Sequence, residues 1–388
     1  MIDRLTLTNF KAFQTADIPL APLTLLTGLN SSGKSTVLQA LALLRQSFTS
    51  GNLGDEVLND EADAGFLLNG EFVGLGTGQD VLHDGFTEDL PRITLRVTEG
   101  SYDYTWSADY APEQNLLPLV STTLPAFQEG GHDAPEGDAA WAPGYFTNGF
   151  QYLHADRITP TERYPRDHHM AVRRGFLGIR GEHTVNFLRH HDRDEVPDGP
   201  LRHPRADGPR LMEQVVAWMR ELCPGVNITT DVIEGTDSVR LAYAFGEGVN
   251  ATHSRRPTNV GFGLTYALPI VVACLTARPG SLVLLENPEA HLHPRGQTKM
   301  AELAAASAAQ GAQLVIESHS DHVLNGMRLA VKRGLLEPSQ ALIHYFRSAG
   351  DGSGAEVISP SLDRDGLLDQ WPNGFFDEMD HVLDQLLT

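Results

Sequence analysis

Cysteine is scarce in this sequence: Cys223 and Cys274 are the only two in 388 residues. Two thiols cannot build a disulfide framework. Both sit in apolar surroundings and read as core residues, which suits a reducing, cytoplasmic setting. Long hydrophobic runs are missing as well. No stretch approaches the roughly 20 apolar residues that span a bilayer. The opening "MIDRLTLTNFKAF" has no basic region followed by an apolar core, so no secretory signal and no membrane association are expected. Bases are outnumbered, with 29 Lys and Arg against 50 Asp and Glu and a formal charge of −21. A surface devoted to non-specific nucleic-acid binding would be basic, because its affinity comes from neutralising phosphates. Only local stretches, "HHMAVRRGFLGIRGEH" (168–183) and "LRHPRADGPR" (201–210), leave room for a DNA or RNA contact. The sixteen histidines show no repeated ligand spacing with cysteines or carboxylates, which argues against a histidine metal centre. There is no internal repeat, and no heptad pattern that would build a coiled-coil arm.

What is present is an ordinary globular composition, 41% apolar and 20% charged, in a chain long enough for one large domain or two smaller ones. "IDRLTLTNF" and "ADIPLAPLTLLTG" read as short strands, the second ending at Gly28. "KSTVLQALALLRQSF" (34–48) has helical apolar spacing. Alternation over 71–110, in "EFVGLG" and "RITLRVTEGSYDYTW", predicts antiparallel strands, and 127–145 reads as an exposed loop rich in Gly, Pro, Ala and Asp. "FQYLHADRITP" is strand-like, 210–225 an amphipathic helix, and "ITTDVIEGTDSVRLAYAF" a hairpin. From 259 onward helices alternate with strands: "LTYALPIVVACLTA", "SLVLLE", "GQTKMAELAAASAAQG", "AQLVIES", "DHVLNGMRLAVKRG", "ALIHYFRS". That alternation implies parallel crossover units in a sheet covered on both faces. The expected division is an N-terminal part (1–160), an inserted helical and hairpin region (161–255) and a C-terminal part (256–388).

Four motifs carry chemistry. "GLNSSGKST" (28–36) fits G-x-x-x-x-G-K-[ST] between an apolar strand and a helix, the context a phosphate-binding loop needs. Its glycines, Gly28 and Gly33, let the amides of Asn30, Ser31, Ser32 and their neighbours curl around phosphates at a helix N-terminus. Lys34 would reach the β- and γ-phosphates, and Ser35 would offer its hydroxyl to Mg²⁺, with Thr36 beside it. "SLVLLE" ends in Glu286, an acid at a strand tip that would hold Mg²⁺ directly or through water; its other reading is a cap on the turn before Pro288. "VIESHSDH" (315–322) puts His319 at a third strand tip, within reach of a γ-phosphate or an attacking water, with Glu317 and Ser318 as secondary contacts. "NVGFGLTYALPIVVA" (259–273) sets a glycine-containing turn before an apolar helix, where backbone amides would receive an anion.

In this order the motifs resemble the ABC-type ATPase heads of the SMC, RecF and OLD-like families over roughly residues 1–50 and 255–345. "YLHADRITP", "LLENPEAHLHPRGQ", "ESHSDHVLNGMR" and "WPNGFFDE" further resemble stand-alone bacterial ATPases of that superfamily, several of them in anti-phage or DNA-maintenance systems beside a nuclease. The resemblance implies an α/β P-loop NTPase of the ABC-ATPase-head type, with a mixed sheet, antiparallel N-terminal strands and an inserted middle region. It implies ATP and Mg²⁺ as ligands, sandwiched in a homodimer whose partner is a protein effector. It assigns Gly28, Asn30, Ser31, Ser32, Gly33, Lys34, Ser35 and Thr36 to Walker A and Glu286 to Walker B. Gly261, Gly263 and Thr265 fall in the signature turn, His319 at the switch, and Gln79 at the glutamine that senses Mg²⁺. "EAHLHP" takes the place of the loop that crosses between subunits.

Two departures stand out. "GFGLT" lacks the signature serine, so contacts to the partner's nucleotide fall to backbone amides or Thr265. Asn287 stands where related heads carry their catalytic glutamate, and an amide orients water without accepting its proton. General-base catalysis contributes about 10²–10⁴-fold, so slow turnover is expected unless Glu289 or Glu317 compensates. The readings that follow are an ATPase controlling a partner, an ATP-gated DNA clamp, and a non-hydrolysing nucleotide-binding scaffold. A nuclease domain after residue 345 is not expected, since too few residues remain there for an acid cluster of its own.

Overall fold

Period-two alternation in the first hundred residues becomes an antiparallel sheet. The computed structural model describes residues 1–53, 64–86, 90–124, 143–246, 251–348 and 354–387. They fall into two units: Met1–Ala21, Leu26–Asn148 and His344–Ser359 in the first, and Pro22–Leu25, Gly149–Ile343 and Pro360–Thr388 in the second. The chain opens with β1 (Arg4–Phe10), β2 (Phe13–Pro19), β3 (Leu23–Gly28), α1 (Lys34–Thr49), β4 (Gly65–Leu67) and the short α2 (Gly78–Val81). Then come β5 (Arg92–Glu99), β6 (Tyr102–Asp109), β7 (Leu116–Thr122) and α3 (Gly144–Thr147).

In the first unit the strand order is β2-β1-β5-β6-β7-β4. Register explains its core: Leu5 pairs with Val97 and Leu7 with Leu95, while Leu95 faces Trp106 and Val97 faces Tyr104. All six side chains are buried, and such cross-strand apolar pairs are the unit of sheet stability. Helix α1 presents Val37, Leu38, Leu41 and Leu44 inward. Its Gln46, also buried, satisfies both ends of its amide: Nε2 donates to the Leu67 carbonyl at 2.5 Å, and Oε1 accepts from the amides of Phe72 and Val73. That amide ties the 67–73 segment to the helix. The expected strand at "EFVGLG" is absent; 71–77 is turn and irregular backbone leading into α2. Glycines at 70, 74, 76 and 78 interrupt the pattern, and Thr77 and Asp80 form a capping box that starts the helix. Most of the loop read at 127–145 lies outside the described residues, and its end enters α3.

The second unit holds β8 (Phe150–Leu153), β9 (Tyr164–Pro165), α4 (Thr184–His190), α5 (Leu211–Leu222), β10 (Val226–Ile233), β11 (Ser238–Phe245), α6 (Phe262–Thr276), β12 (Leu282–Glu286), α7 (Pro294–Ala309), β13 (Gln313–Glu317) and α8 (Asp321–Lys332). The chain closes with β14 (Ala341–Ser348), β15 (Ala355–Ile358) and α9 (Glu378–Leu387). Within this unit the start of β3 neighbours β13, and β12 lies between β13 and β8. Strand β12 is parallel to both of its neighbours. Apolar residues fill β12 and β13 almost without a break, as strands buried on both faces require. Helix α6 is apolar all round and buried along most of its length. The expected hairpin is β10–β11, in register from Val226↔Phe245 to Ile233↔Ser238, with β9 on its far side.

Strands β3 and β14 contribute residues to both units; in the first, the end of β3 neighbours β14, which neighbours β15. Cys274 is buried as expected, whereas Cys223, at the C-cap of α5, is only partly covered. Among the described residues no helix is long and apolar enough to cross a membrane. The three-segment division read from the sequence remains a proposal, since the two units are drawn along different lines.

Candidate functional site

In the first unit, the loop from Gly28 to Thr36 connects β3 to α1. Gly28, Ser31 and Gly33 all take positive φ, at 131°, 60° and 98°. Gly33 must be glycine twice over: its left-handed backbone disfavours any side chain, and a Cβ there would meet the Phe13 ring at 2.7 Å and Ala12 at 2.9 Å. The loop folds on itself. Lys34 Nζ donates to the carbonyls of Leu29 at 2.6 Å and Gly28 at 3.2 Å, and Ser32 Oγ donates to Leu29 at 2.7 Å. Lys34 is only 3% exposed, Leu29 and Asn30 are exposed, and Ser35 is half-buried. Helix α1 runs for 16 residues with no side-chain cap and no acid in its first turn. The positive end of its dipole is therefore not balanced by an acid of the first turn, an arrangement that fits a bound phosphate.

In the second unit, the tip of β12 gathers the other acids. Glu286 ends the strand half-buried. Tyr152 Oη donates to its Oε1 at 2.5 Å, and the Ala155 amide to its Oε2 at 2.9 Å. Burial and the neighbouring carboxylate raise the Tyr152 pKa well above the ordinary phenol value, so it stays a donor. The next residue, Asn287, has φ 44° and donates its amide to the Glu317 carbonyl at 2.8 Å. Left-handed backbone at a non-glycine residue is strained by about 1–3 kcal/mol and concentrates at functional sites. Arg157, 0% exposed, donates to three carbonyls: His154 at 3.0 Å, Glu286 at 2.7 Å and Asn287 at 2.6 Å. Burial lowers its pKa to about 10, with Glu289, Tyr266 and Glu286 opposing the shift, so it remains a cation near neutrality.

Two oxygens at this tip fit a metal-bound or reacting water. Asn287 Oδ1 and Glu289 Oε2 are buried and have no hydrogen-bond partner among the described residues. Unpaired buried acceptors are rare and call for an explanation. The other oxygen of Glu289 accepts from the backbone amide of His319 at 3.0 Å. Thus Glu286, Asn287, Glu289, His319 and the Glu317 carbonyl meet at the adjacent ends of β12 and β13, with the His319 ring exposed and Ser318 buried.

The other expected residues are placed as follows. Gly261 caps α6 with open space where a Cβ would stand, whereas a Cβ on Gly263 would lie 2.6 Å from the His291 carbonyl. Close approach of the 287–293 turn therefore accounts for Gly263. Thr265 is 3% exposed in the first turns of α6, so its hydroxyl does not face outward. Gln79 lies exposed on α2 in the first unit. Sequence reasoning assigned no role to Tyr152 or Arg157; a lone arginine just after an apolar strand, in "YLHADRIT", was the available signal.

The sequence profile of the family described as "AAA domain, putative AbiEii toxin, Type IV TA system" matches residues 23–325, and that of "Protein of unknown function (DUF3696)" matches 336–386. Comparison with curated proteins gives no significant match. Among solved structures the chain resembles an SMC head bound to the C-terminal winged-helix domain of ScpA, with TM-score 0.52, 14% identity, and coverage of 94% of this chain and 98% of that one. An SMC head from Pyrococcus furiosus with an extended coiled coil, bound to the C-terminal domain of ScpA, gives 0.49 at 12% identity, covering 100% and 99%. The head from Thermotoga maritima gives 0.42 at 12%, covering 92% and 98%. At these identities the likeness speaks to fold alone. Drawn from the first of them, the fold is the mixed α/β P-loop head of SMC-like, ABC-type ATPases.

Proposed function

This chain belongs to the AbiEii-type AAA family, an SMC-like branch of the ATP-binding P-loop ATPases, and from that premise we propose that it is a slowly hydrolysing ATPase whose ATP-bound homodimer controls a protein effector. The roles are as follows. Amides of Asn30 to Lys34 and the Lys34 ammonium hold the triphosphate, with Gly28, Gly33 and Thr36 shaping that cradle. Ser35 would offer its hydroxyl, and Glu286 its carboxylate, to Mg²⁺, and Gln79 would sense the metal. The metal, when bound, neutralises charge that develops on the transferred phosphoryl group. Asn287 orients the attacking water, Glu289 is the carboxylate left to take its proton, and His319 approaches the γ-phosphate. The amides at Gly261 and Gly263 of one copy face the nucleotide of the other.

The observation that carries this reading is the loop itself: a left-handed Gly33 heading a 16-residue helix that has neither side-chain cap nor first-turn acid, with Lys34 folded over it. Slow turnover follows from the amide at 287, since the general base it cannot supply is worth about 10²–10⁴-fold. A protein effector, such as a nuclease, is favoured over direct nucleic-acid binding by the charge of −21. The family's description, "putative AbiEii toxin, Type IV TA system", supports a controlled effector; the role proposed is cytoplasmic defence against phage, in which ATP binding arms the partner and hydrolysis resets it. The test is equilibrium binding of ATP to wild type and Lys34→Ala, with oligomeric state followed by light scattering. ATP-dependent dimers in wild type alone support the reading, and equal affinity in both proteins ends it.

A further inference from the structure

Arg157 is wholly buried, and the roles above leave it unused. Its guanidinium spans the carbonyls of two consecutive residues, Glu286 and Asn287, and so fixes the peptide planes on either side of the Asn287 left-handed turn. Whatever holds those planes also aims the Asn287 amide. Arg157 Nε has no hydrogen-bond partner among the described residues, and the face of the guanidinium is covered by Tyr266, 5.3 Å from its ring centroid. Tyr266 meets His291 edge-on at 4.8 Å, and His291 lies 5.7 Å from Phe262. Phe262 is 50% exposed at the first turn of α6, beside Gly261 and Gly263. His291, like Asn287, is left-handed, with φ 63°. A cluster of edge-on and tilted ring contacts, in which Phe262 also meets Tyr266 at 6.2 Å, therefore runs from an exposed residue of the glycine turn to the cation that holds the strand tip.

We propose that Arg157 is a positioning residue for Asn287, and that Tyr266, backed by His291 and Phe262, holds its guanidinium in place. The proposal rests on the ATPase reading and names a positioning residue of that same site. Loss of the ring over the guanidinium loosens the fork, and with it the carbonyls of Glu286 and Asn287. Lysine cannot replace the fork, because a point charge does not pin two carbonyls in one plane.

The test is single-turnover hydrolysis of radiolabelled ATP, with ATP affinity measured separately, on the full chain and on Arg157→Lys, Tyr266→Ala, Tyr266→Phe and Phe262→Ala. Arg157→Lys lowers the rate by about 10²-fold, the penalty of a small misplacement at the reacting group, with ATP affinity unchanged. Tyr266→Ala lowers it about tenfold, the size of a desolvated cation–π contact, and Tyr266→Phe, which keeps the ring, restores it. The Arg157→Lys/Tyr266→Ala double variant is no slower than Arg157→Lys alone, because the two residues act in series. Phe262→Ala, at an exposed position, slows hydrolysis without lowering Tm. A wild-type rate in Arg157→Lys overturns the proposal, as do additive losses in the double variant or rate and affinity falling together. Should Arg157→Lys fail to fold, the Tyr266→Ala and Tyr266→Phe pair decides, with equal rates in the two contradicting the proposal. Unchanged ATP affinity in Lys34→Ala would instead signal failure of the underlying ATPase reading.

Discussion

The side-chain hydrogen bonds of the loop at 28–36 are local: Lys34 reaches back six positions to Gly28 and five to Leu29, and Ser32 reaches three to Leu29, while one distant bond, from the Leu29 amide to the Phe346 carbonyl at 3.2 Å, anchors its start. The tip of β12 is held from afar. Tyr152 lies 134 positions from the Glu286 it contacts, and Arg157 lies 129 and 130 positions from Glu286 and Asn287. The first is a cradle whose side chains bond almost entirely to nearby backbone. The second exists only when distant segments have packed, so changes far from the strand can tune it. Binding is thus expected to be robust and turnover adjustable.

The largest effect that would break this contrast is at the cradle. Lys34→Ala removes a buried charge from the phosphates and should weaken ATP binding by about 10³-fold or more, the upper part of the range expected on truncating one partner of a buried charge pair. Titration calorimetry reads it directly. At the tip, Glu286→Gln should leave ATP binding largely intact while lowering turnover by about 10³-fold, as loss of a preorganised electrostatic contact does. Parallel loss of affinity would place Glu286 in the cradle rather than at the metal. Asn287→Glu sharpens the comparison in the other direction: with a base restored, turnover should rise by about 10²-fold in a steady-state phosphate-release assay. A wild-type rate already equal to that of the variant would make Glu289 a full base.

Two smaller effects concern the frame. Gly33→Ala should destabilise the first unit by about 1–3 kcal/mol in chemical denaturation, because the left-handed backbone and the contact with Phe13 and Ala12 both oppose a Cβ. The least effect is set by His344, whose Nε2 donates to the Pro19 carbonyl at 2.7 Å and whose Nδ1 accepts from Ser359 at 2.7 Å. Burial holds this imidazole below its ordinary value of 6.5. Above that pH it is neutral whether folded or unfolded. Below it the unfolded chain gains a proton that the folded chain resists, so stability falls as pH drops from about 6.5 through the depressed folded value. Thermal melts across that range should show the decline, and His344→Gln should flatten it.

The cradle was legible from nine letters because its chemistry is backbone chemistry, and glycine spacing reports backbone conformation. The alternating strands β5 and β6 and the helix–strand alternation after residue 259 were legible for a similar reason: burial on one face or on both leaves a period. "EFVGLG" misled because a few apolar letters between glycines imitate alternation, while the stronger local signal was the Thr77–Asp80 capping box. Cys223 reads as core from its apolar neighbours, but it falls at the end of α5, where the helix leaves it partly uncovered. Glu286 was found as the polar end of an apolar run. Its partners Tyr152 and Arg157 were not, since no period links residues more than a hundred positions apart. Asn287 was legible as an absence, yet its left-handed turn and orphaned Oδ1 depend on that long-range packing.

The central proposal is that the Lys34 loop binds the phosphates of the nucleotide and that Glu286 ligates magnesium. Uptake of Mn²⁺ in place of Mg²⁺, followed by electron paramagnetic resonance with and without ATP in wild type, Lys34→Ala and Glu286→Gln, tests it most directly. The account predicts ATP-dependent Mn²⁺ uptake in wild type that is abolished in Lys34→Ala, and uptake in Glu286→Gln with an altered Mn²⁺ spectrum because one ligand has changed. A bound Mn²⁺·ATP spectrum in Glu286→Gln indistinguishable from wild type would contradict it.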